Sequence, residues 1–150
     1  MGAVNSLKED GSCSDMEIIS YISLIFAYLI KNNLIYNYGT KSKDEQFCAN
    51  LMKYIYGHYT ENISSSDAAA ALSYNHSYFC RIFKRNFRKN FSEYLNIYRI
   101  AMSRILLEQK NNSITEIAHM CGFNSCSYFS KCFKKYIGIL PSKYYKNLEN

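Results

Sequence analysis

The stretch SITEIAHMCGFNSCSYFSKCFKKYIGILPSKYY, residues 113–145, decides the fold of this chain. It opens with Ser113 and Glu116, an S-x-x-E pattern in which each side chain satisfies a free backbone N–H of a first helical turn. Apolar residues then recur at helical spacing, at Ile114, Ile117, Ala118 and Cys121. Gly122 follows where the helix must end, because glycine enters the left-handed conformation without a Cβ penalty. The pattern predicts a short amphipathic helix followed by a glycine turn.

A second helix is predicted directly after this turn. Asn124 or Ser125 caps it, and its inward side carries Phe129, Phe133 and Tyr136. Gly138 ends this helix, and Pro141 suits the first turn of a third one. An apolar helix, a glycine turn and a capped second helix form the layout of a helix-turn-helix, whose second helix lies in the DNA major groove.

The chain carries this pattern twice, about 50 residues apart. The matched positions are Ser77-Tyr78-Phe79 with Ser127-Tyr128-Phe129, Arg81 with Lys131, Phe83-Lys84 with Phe133-Lys134, Ser92 with Ser142, and Tyr94 with Tyr144. A solenoid is not indicated, since the period is long and occurs only twice. The repeat predicts two homologous DNA-reading units.

The upstream copy departs from the downstream one in its first helix and turn. Ser65 and Ala68 stand where larger aliphatic side chains are expected, and Leu72 stands in the turn in place of glycine. If Ala69 pairs with Ala118, this turn is also one residue shorter. Asn75 still caps a recognition helix, which we predict over residues 76–87. Arg88 stands where the other copy has a terminal glycine, and a left-handed arginine there would cost about 1 kcal/mol.

These residues carry a family resemblance. The phrases that look like the signature of AraC/XylS-type transcription regulators are Ile117-Ala118, Gly122-Phe123, Ser127-Tyr128-Phe129, Phe133-Lys134-Lys135, Gly138 and Pro141-Ser142-Lys143-Tyr144. Phe91-Ser92-Glu93-Tyr94-Leu95 and Arg99-Ile100 resemble the family's first unit and connecting helix. The resemblance covers roughly residues 45–145. It implies a seven-helix DNA-binding domain from bacterial proteins, some of which activate and others repress transcription.

The expected fold is all-α, with two helix-turn-helix subdomains joined by a long central helix, plus an N-terminal apolar helix. We place the first unit at residues 63–88, the linking helix at 91–109 and the second unit at 113–137. The linking helix has inward residues at helical spacing, namely Leu95, Tyr98, Met102, Ile105 and Leu106. About 17 helical residues span about 26 Å. Such a rod can hold two recognition helices about one DNA turn, ~34 Å, apart.

The N-terminal part, residues 1–42, is predicted to be separate from the DNA-binding domain at 43–150. Residues 16–30 are apolar nearly all round, yet they are shorter than the ~20 residues that span a bilayer. A helix of this kind needs a partner. It forms a homodimer contact or packs on its own domain, with a membrane or disordered state as the remaining alternative. By resemblance it is a remnant of the linker to a sensor domain. We expect no room here for a barrel-like sensor and its effector pocket.

Charge is unevenly distributed along the chain. Residues 1–62 hold five Lys/Arg and seven Asp/Glu, whereas residues 63–150 hold thirteen and five. The basic excess therefore coincides with the repeated units, as expected for a phosphate-binding surface. Basic surfaces also bind acidic proteins or anionic lipid, so charge alone does not identify the partner.

The phenylalanines of each recognition helix predict which face is left for DNA. The inward ones are Phe79 and Phe83 in the first helix and Phe129 and Phe133 in the second. The opposite faces hold the predicted base contacts: His76, Ser77, Cys80 and Arg81, and Cys126, Ser127, Ser130 and Lys131; the resemblance adds Tyr128. Arg81 is the strongest base reader, since its fork pairs with guanine O6 and N7. Lys131 reads a base or holds a phosphate.

Basic residues next to these positions are the predicted phosphate contacts. They are Lys84, Arg85, Lys134 and Lys135, and the alternative for each is a solvated surface charge. The same surface is extended by Arg88, Lys89, Arg99 and Arg104, unless Arg99 instead pairs with Glu93 or Glu108. RNA polymerase is an expected partner if the protein activates transcription.

Catalytic and metal-binding patterns are not evident. Six cysteines form no C-x-x-C pair and no histidine pair has zinc-finger spacing, so we expect no metal, no cofactor and no enzymatic activity. Cys121 and Cys132 are predicted to be small core residues. Without a secretion signal, the reducing cytoplasm is the expected setting. Two alternatives stay open: a protein-interaction module that uses its apolar N-terminal helix and binds DNA weakly, and a fragment of a metal-dependent DNA-repair enzyme.

Overall fold

The computed structural model describes residues 43–148, and within that range every regular element is a helix. The helices are α1 (Lys43–His58), α2 (Ser65–Ala71), α3 (His76–Phe87), α4 (Phe91–Gln109), α5 (Ile114–Met120), α6 (Cys126–Ile137) and α7 (Pro141–Asn147). The all-α prediction with two helix-turn-helix units and a long joining helix is confirmed. The apolar segment 16–30, with the dimer contact expected from it, lies outside the described residues.

Five of the described helices, α2 to α6, begin after a residue whose side chain caps them. Ser113 and Glu116 form the predicted capping box at α5, and Ser64 forms the same box with Asp67 at α2. Hydrogen bonds from the Ser113 backbone and hydroxyl hold the pKa of Glu116 below its usual value. Of the two candidate caps for α6, Ser125 is the one whose side chain accepts from the backbone, at Tyr128 N. The start signals in the sequence therefore act as predicted.

The turn of the first unit is one residue shorter than that of the second, as the pairing of Ala69 with Ala118 predicted, but Leu72 does not take the place of the glycine. Leu72 caps α2 with φ −91°, and Ser73, at φ 60°, takes the left-handed position that Gly122 fills at φ 81° in the second unit. Because the shorter turn removes one residue, the first helices of the two units are 49 residues apart and the recognition helices 50. Arg88 adopts the predicted left-handed conformation at φ 57°, where Gly138 has φ 88°.

Two hydrophobic cores share α4. The first core unites α1 to α3 with one end of α4, through residues such as Phe47, Leu51, Ile55, Phe79, Phe83, Phe91 and Tyr94. The second unites α5 and α6 with α4 through Ile97, Ile100, Leu107, Ile117, Phe123, Phe129 and Phe133. The predicted α4 stripe is therefore too narrow: Leu95 and Tyr98 face the first core, but Ile97, Ile100 and Leu107 are buried in the second. A helix packed on two sides by different units cannot show a single apolar stripe.

The two units meet where the loop after α1 crosses the middle of α4. Arg99, only 8% exposed, donates from Nε to the carbonyl of Tyr59 at 2.7 Å and from Nη2 to the carbonyl of Glu61 at 2.6 Å. Its guanidinium also lies 5.7 Å from the ring centroid of Phe123, in the turn of the second unit. The expected pairing with Glu93 or Glu108 is wrong, and burial keeps Arg99 out of the basic surface. Backbone carbonyls satisfy this buried charge instead.

Gly122 lies against the same loop. A Cβ at this position would stand 2.6 Å from the carbonyl oxygen of Tyr59 and 2.9 Å from backbone carbons of Thr60. Glycine is therefore required for two reasons, its positive φ and the close approach of the first unit's backbone. Gly138 shares only the first reason, since a Cβ there would meet nothing within 4 Å.

We expect Gly122→Ala to destabilise the protein more than Gly138→Ala. Both substitutions place a residue with a Cβ in the left-handed region, which destabilises the folded state by about 1–2 kcal/mol. Only Gly122→Ala also forces a methyl group into backbone, which adds about 1–3 kcal/mol. Urea unfolding followed by circular dichroism measures both free energies of unfolding. Equal losses for the two variants would show that the loop of residues 59–61 does not pack on this turn.

Candidate nucleic-acid interface

Each recognition helix buries its aromatic side and exposes the opposite one. Phe79, Ile82 and Phe83 of α3 are buried, as are Phe129, Cys132, Phe133 and Tyr136 of α6. The exposed faces carry His76, Ser77, Cys80, Arg81 and Lys84 on α3, and Ser127, Tyr128, Lys131, Lys134 and Lys135 on α6, with Cys126 and Ser130 partly exposed. The inward phenylalanines were predicted correctly, and the predicted contact residues stand on the surface left over.

The first turn of α4 lies between these two faces. Asn90 and Ser92 line a cavity together with Cys80 and Lys84 of α3. The same two residues line an open groove that also includes Lys131 and Lys135 of α6. Residues from the exposed faces of both recognition helices therefore line neighbouring pockets that share Asn90 and Ser92. The sequence did not single out Asn90 or Ser92 for this role, although Ser92 belongs to the repeat.

Arg81 lies at the end of a column of aromatic rings. Its guanidinium is 5.3 Å from the ring centroid of Tyr78. That ring stacks on Tyr74 at 5.7 Å with an interplanar angle of 22°, and Tyr74 meets Phe47 of α1 edge-on at 5.5 Å. Because Phe47 is fully buried, the column connects the exposed guanidinium to the first core. Such stacking restricts the flexible arginine before any ligand arrives.

The second unit holds the equivalent tyrosine differently. The hydroxyl of Tyr128 accepts a hydrogen bond from Asn96 Nδ2 at 2.9 Å, so this side chain is attached to α4 while 51% of its surface stays exposed. Lys131, which corresponds to Arg81, has no ring contact among residues 43–148. Tyr128 was predicted from the resemblance as a base contact, and that role stays a prediction.

Each recognition helix is also attached by its first residue to the helix before it. His76 Nε2 lies 2.9 Å from Ser65 Oγ and 3.4 Å from Cys80 Sγ. In the second unit, Thr115 Oγ1 donates to Cys126 Sγ at 3.7 Å. These contacts constrain three of the predicted base-contacting side chains, His76, Cys80 and Cys126, because their polar atoms already have partners inside the unit.

The four predicted phosphate-contacting cations fall into two classes. Arg85 Nη2 donates to both carboxylate oxygens of Asp44, at 2.5 and 2.7 Å. Lys135 Nζ lies 3.9 Å from Glu93 and 5.0 Å from the ring centroid of its neighbour Tyr136. Lys84 and Lys134 are exposed and have no ion pair within the described range. The acidic partners of Arg85 and Lys135, Asp44 and Glu93, lie 41 and 42 residues away in the sequence. A local sequence pattern cannot predict such pairs.

The cysteines of the second core are inert by burial. Cys121 is fully buried, which raises the pKa of its thiol to about 12, and desolvation also raises the pKa of Cys132. Their predicted role as small core residues is confirmed. Among residues 43–148, no three or more His, Cys, Asp or Glu side chains are grouped to hold a metal ion. No helix in that range is long and apolar enough to cross a membrane.

Known proteins share this arrangement. The family described as "Helix-turn-helix domain" matches residues 68–147, more than half of the chain. This chain belongs to the AraC-type helix-turn-helix family. Among known relatives, the uncharacterised HTH-type transcriptional regulator YdeC of Bacillus subtilis is 30% identical over 93% of this chain and 48% of its own length. The Msm operon regulatory protein of Streptococcus mutans is 32% identical over 74% of this chain and 40% of its own.

Solved structures extend the comparison to the fold. The C-terminal domain of the response regulator yesN from Fusobacterium nucleatum is 31% identical, with a TM-score of 0.60 over 63% of this chain and 93% of that one. The C-terminal domain of AraT from Geobacillus stearothermophilus is 26% identical, with a TM-score of 0.66 over 71% and 88%. This chain thus matches such domains over most of their length, but it spans about half or less of YdeC and the Msm regulator.

We expect Tyr78→Leu to loosen the side chain of Arg81, whereas Tyr78→Phe keeps it ordered. The aromatic face attracts the guanidinium by about 0.5–1 kcal/mol at an exposed site, and phenylalanine retains that face without the hydroxyl. The ¹⁵Nε relaxation of Arg81 measures its order on the picosecond to nanosecond timescale. An order parameter unchanged in Tyr78→Leu would show that the ring does not hold the guanidinium.

Proposed function

We propose that this protein is a sequence-specific regulator of transcription that inserts α3 and α6 into successive major-groove segments of one DNA duplex. The observation that supports this most is the position of the first turn of α4, which the exposed faces of both recognition helices flank. Two recognition helices whose exposed faces adjoin the same helix start can meet one duplex together. Membership in a family whose named relatives are transcriptional regulators supports the same function.

Base reading is assigned to the exposed positions of the two helices. These are His76, Ser77, Cys80 and Arg81 on α3, and Cys126, Ser127, Tyr128 and Lys131 on α6. Arg81 gives the first half of the site its sharpest preference, because a guanidinium held by a ring can donate two hydrogen bonds to guanine. Lys131 donates as a point charge without a fixed fork, so the second half is read more permissively.

The four phosphate-contacting cations differ in whether a carboxylate of the protein already lies next to them. Lys84 and Lys134 meet the backbone directly, and each contributes salt-dependent affinity without sequence preference. Arg85 and Lys135 are held near carboxylates, so each must exchange an acidic partner for a phosphate. The first turn of α4 faces the backbone that passes between the two groove segments.

The setting and partners follow from this role. We propose residues 43–150 as the DNA-binding domain and 1–42 as a separate segment whose residues 16–30 pair two copies of the chain. The protein acts in the cytoplasm without catalysis, and it contacts RNA polymerase if it activates transcription.

Selection from a random oligonucleotide pool identifies operator sites, which then serve as the DNA in binding experiments. Titration at two salt concentrations then separates DNA binding from a protein-interaction role, because electrostatic binding to phosphates weakens steeply with salt.

We expect Arg81→Ala to relax sequence preference in one half of the operator, at a cost of about 1–3 kcal/mol against the selected base. Lys84→Ala is the matched control on the same helix. It should weaken specific and random DNA alike and lower the salt slope by about 1. Fluorescence anisotropy with single-base operator variants measures both effects. If Arg81→Ala weakened selected and random duplexes equally, the base-reading role of Arg81 would be wrong.

We expect Asp44→Asn to strengthen DNA binding and to steepen its salt dependence by about one phosphate contact. The substitution releases Arg85, which is bound to that carboxylate at 2.5 and 2.7 Å. Both side chains are substantially exposed, 60% for Arg85 and 42% for Asp44, so the stability of the fold should change by less than about 1 kcal/mol. The Asp44→Asn/Arg85→Ala double variant is the control and should lose the gain. A gain that survives in the double variant contradicts the assignment.

A further inference from the structure

Arg99 directly links the two helix-turn-helix units. Its side chain leaves the middle of α4 and reaches the loop between α1 and α2, where it donates to the backbone carbonyls of Tyr59 and Glu61 at 2.7 and 2.6 Å. Its guanidinium also lies 5.7 Å from the ring centroid of Phe123, a residue of the second core. One side chain therefore contacts a segment of each unit.

The chemistry of this link makes it rigid. Both acceptors are backbone carbonyls, so no rotation of an acceptor side chain can loosen the bonds, and the planar guanidinium holds its donors in a fixed geometry. Arg99 is only 8% exposed, and among residues 43–148 it has no ion pair. Loss of the two hydrogen bonds would leave a buried charge without partners, which is costly.

The turn of the second unit touches the same loop. A Cβ on Gly122 would stand 2.6 Å from the carbonyl oxygen of Tyr59 and 2.9 Å from backbone carbons of Thr60. The carbonyl of Tyr59 thus accepts from Arg99 of α4 and lies against the glycine turn of the second unit. Each unit packs on α4 through its own core, and the contact between loop and turn joins the two units to each other.

We propose that Arg99 is a positioning residue that fixes the distance and rotation between the two recognition helices, and thereby makes the protein selective for the spacing between the two halves of its operator. The selectivity rests on the proposed function, whereas the rigid coupling of the units does not. One added base pair moves a groove segment by about 3.4 Å and turns it by about 35°. Coupled helices cannot follow that shift, and helices released from each other can follow part of it.

Residual dipolar couplings of the full chain without DNA test the coupling first. In the wild type, one alignment tensor should fit the backbone amides of both units. Arg99→Gln is uncharged and too short to reach both carbonyls, so each unit should need its own tensor. Gly122→Ala should have the same effect, because its methyl group displaces the loop. Gly138→Ala is the control: it is also left-handed, but its Cβ meets nothing within 4 Å, and one tensor should suffice.

A conservative variant grades the effect. Arg99→Lys keeps the charge but lacks the planar fork, so its two tensors should differ less than those of Arg99→Gln. Circular dichroism shows which variants fold, and Arg99→Lys together with Gly122→Ala completes the test if Arg99→Gln does not. A single shared tensor in the folded variants at both positions would overturn the proposal.

Operator spacing is tested second, by anisotropy with duplexes that gain or lose one base pair between the two halves. For the wild type, each change should weaken binding at least about tenfold, because base contacts are misplaced. In Arg99→Gln and Gly122→Ala that factor should be at least about threefold smaller, since the released units regain contacts, and in Gly138→Ala it should match the wild type. A smaller folded fraction lowers the affinity for every duplex alike and leaves the factor unchanged.

The two experiments distinguish failure of the coupling from failure of the proposed function. If the variants need separate tensors but the wild type binds no DNA, the coupling stands and the proposed function fails. If the wild type tolerates every spacing, or if variants with separate tensors keep the wild-type spacing factor, Arg99 has no role in operator selectivity.

Discussion

The relation between the two helix-turn-helix units depends on a buried guanidinium bound to backbone carbonyls. Arg99 donates to Tyr59 and Glu61 from the middle of α4, and the turn that contains Gly122 packs on the same loop. A charge that is 8% exposed would be costly without these bonds. Since both carbonyls come from the first unit and the glycine turn from the second, the contact determines how one recognition helix is oriented relative to the other.

Duplication has left two units with the same framework and different surfaces. Capping boxes, left-handed helix ends and inward phenylalanines recur in both. The exposed positions have diverged: Arg81 is stacked on Tyr78, whereas Tyr128 is hydrogen-bonded to Asn96. These differences are local because each unit retains its own core.

Most of the local structure could be predicted because the signals are local. Ser113 with Glu116 defined the start of α5, since a capping box needs only residues three positions apart. The shorter first turn was predicted, but Leu72 was matched with Gly122 in place of Ser73, because no glycine marks the left-handed position there. The recognition faces were predicted from phenylalanine spacing. The partners of Arg85 and Arg99 could not be predicted, because they lie about 40 residues away, in segments that show no complementary pattern.

Within residues 43–148, the sequence by itself determined which segments are helices, most of their ends and the inward face of each recognition helix, because capping, backbone conformation and apolar spacing act within a few residues. Only the tertiary structure decided that α4 belongs to two cores, that Arg99 is buried rather than on the basic surface, and that Asp44 holds Arg85. It also decided that residues from both exposed faces line pockets at the start of α4. These features depend on which distant segments share space, and helical periodicity carries no information about that.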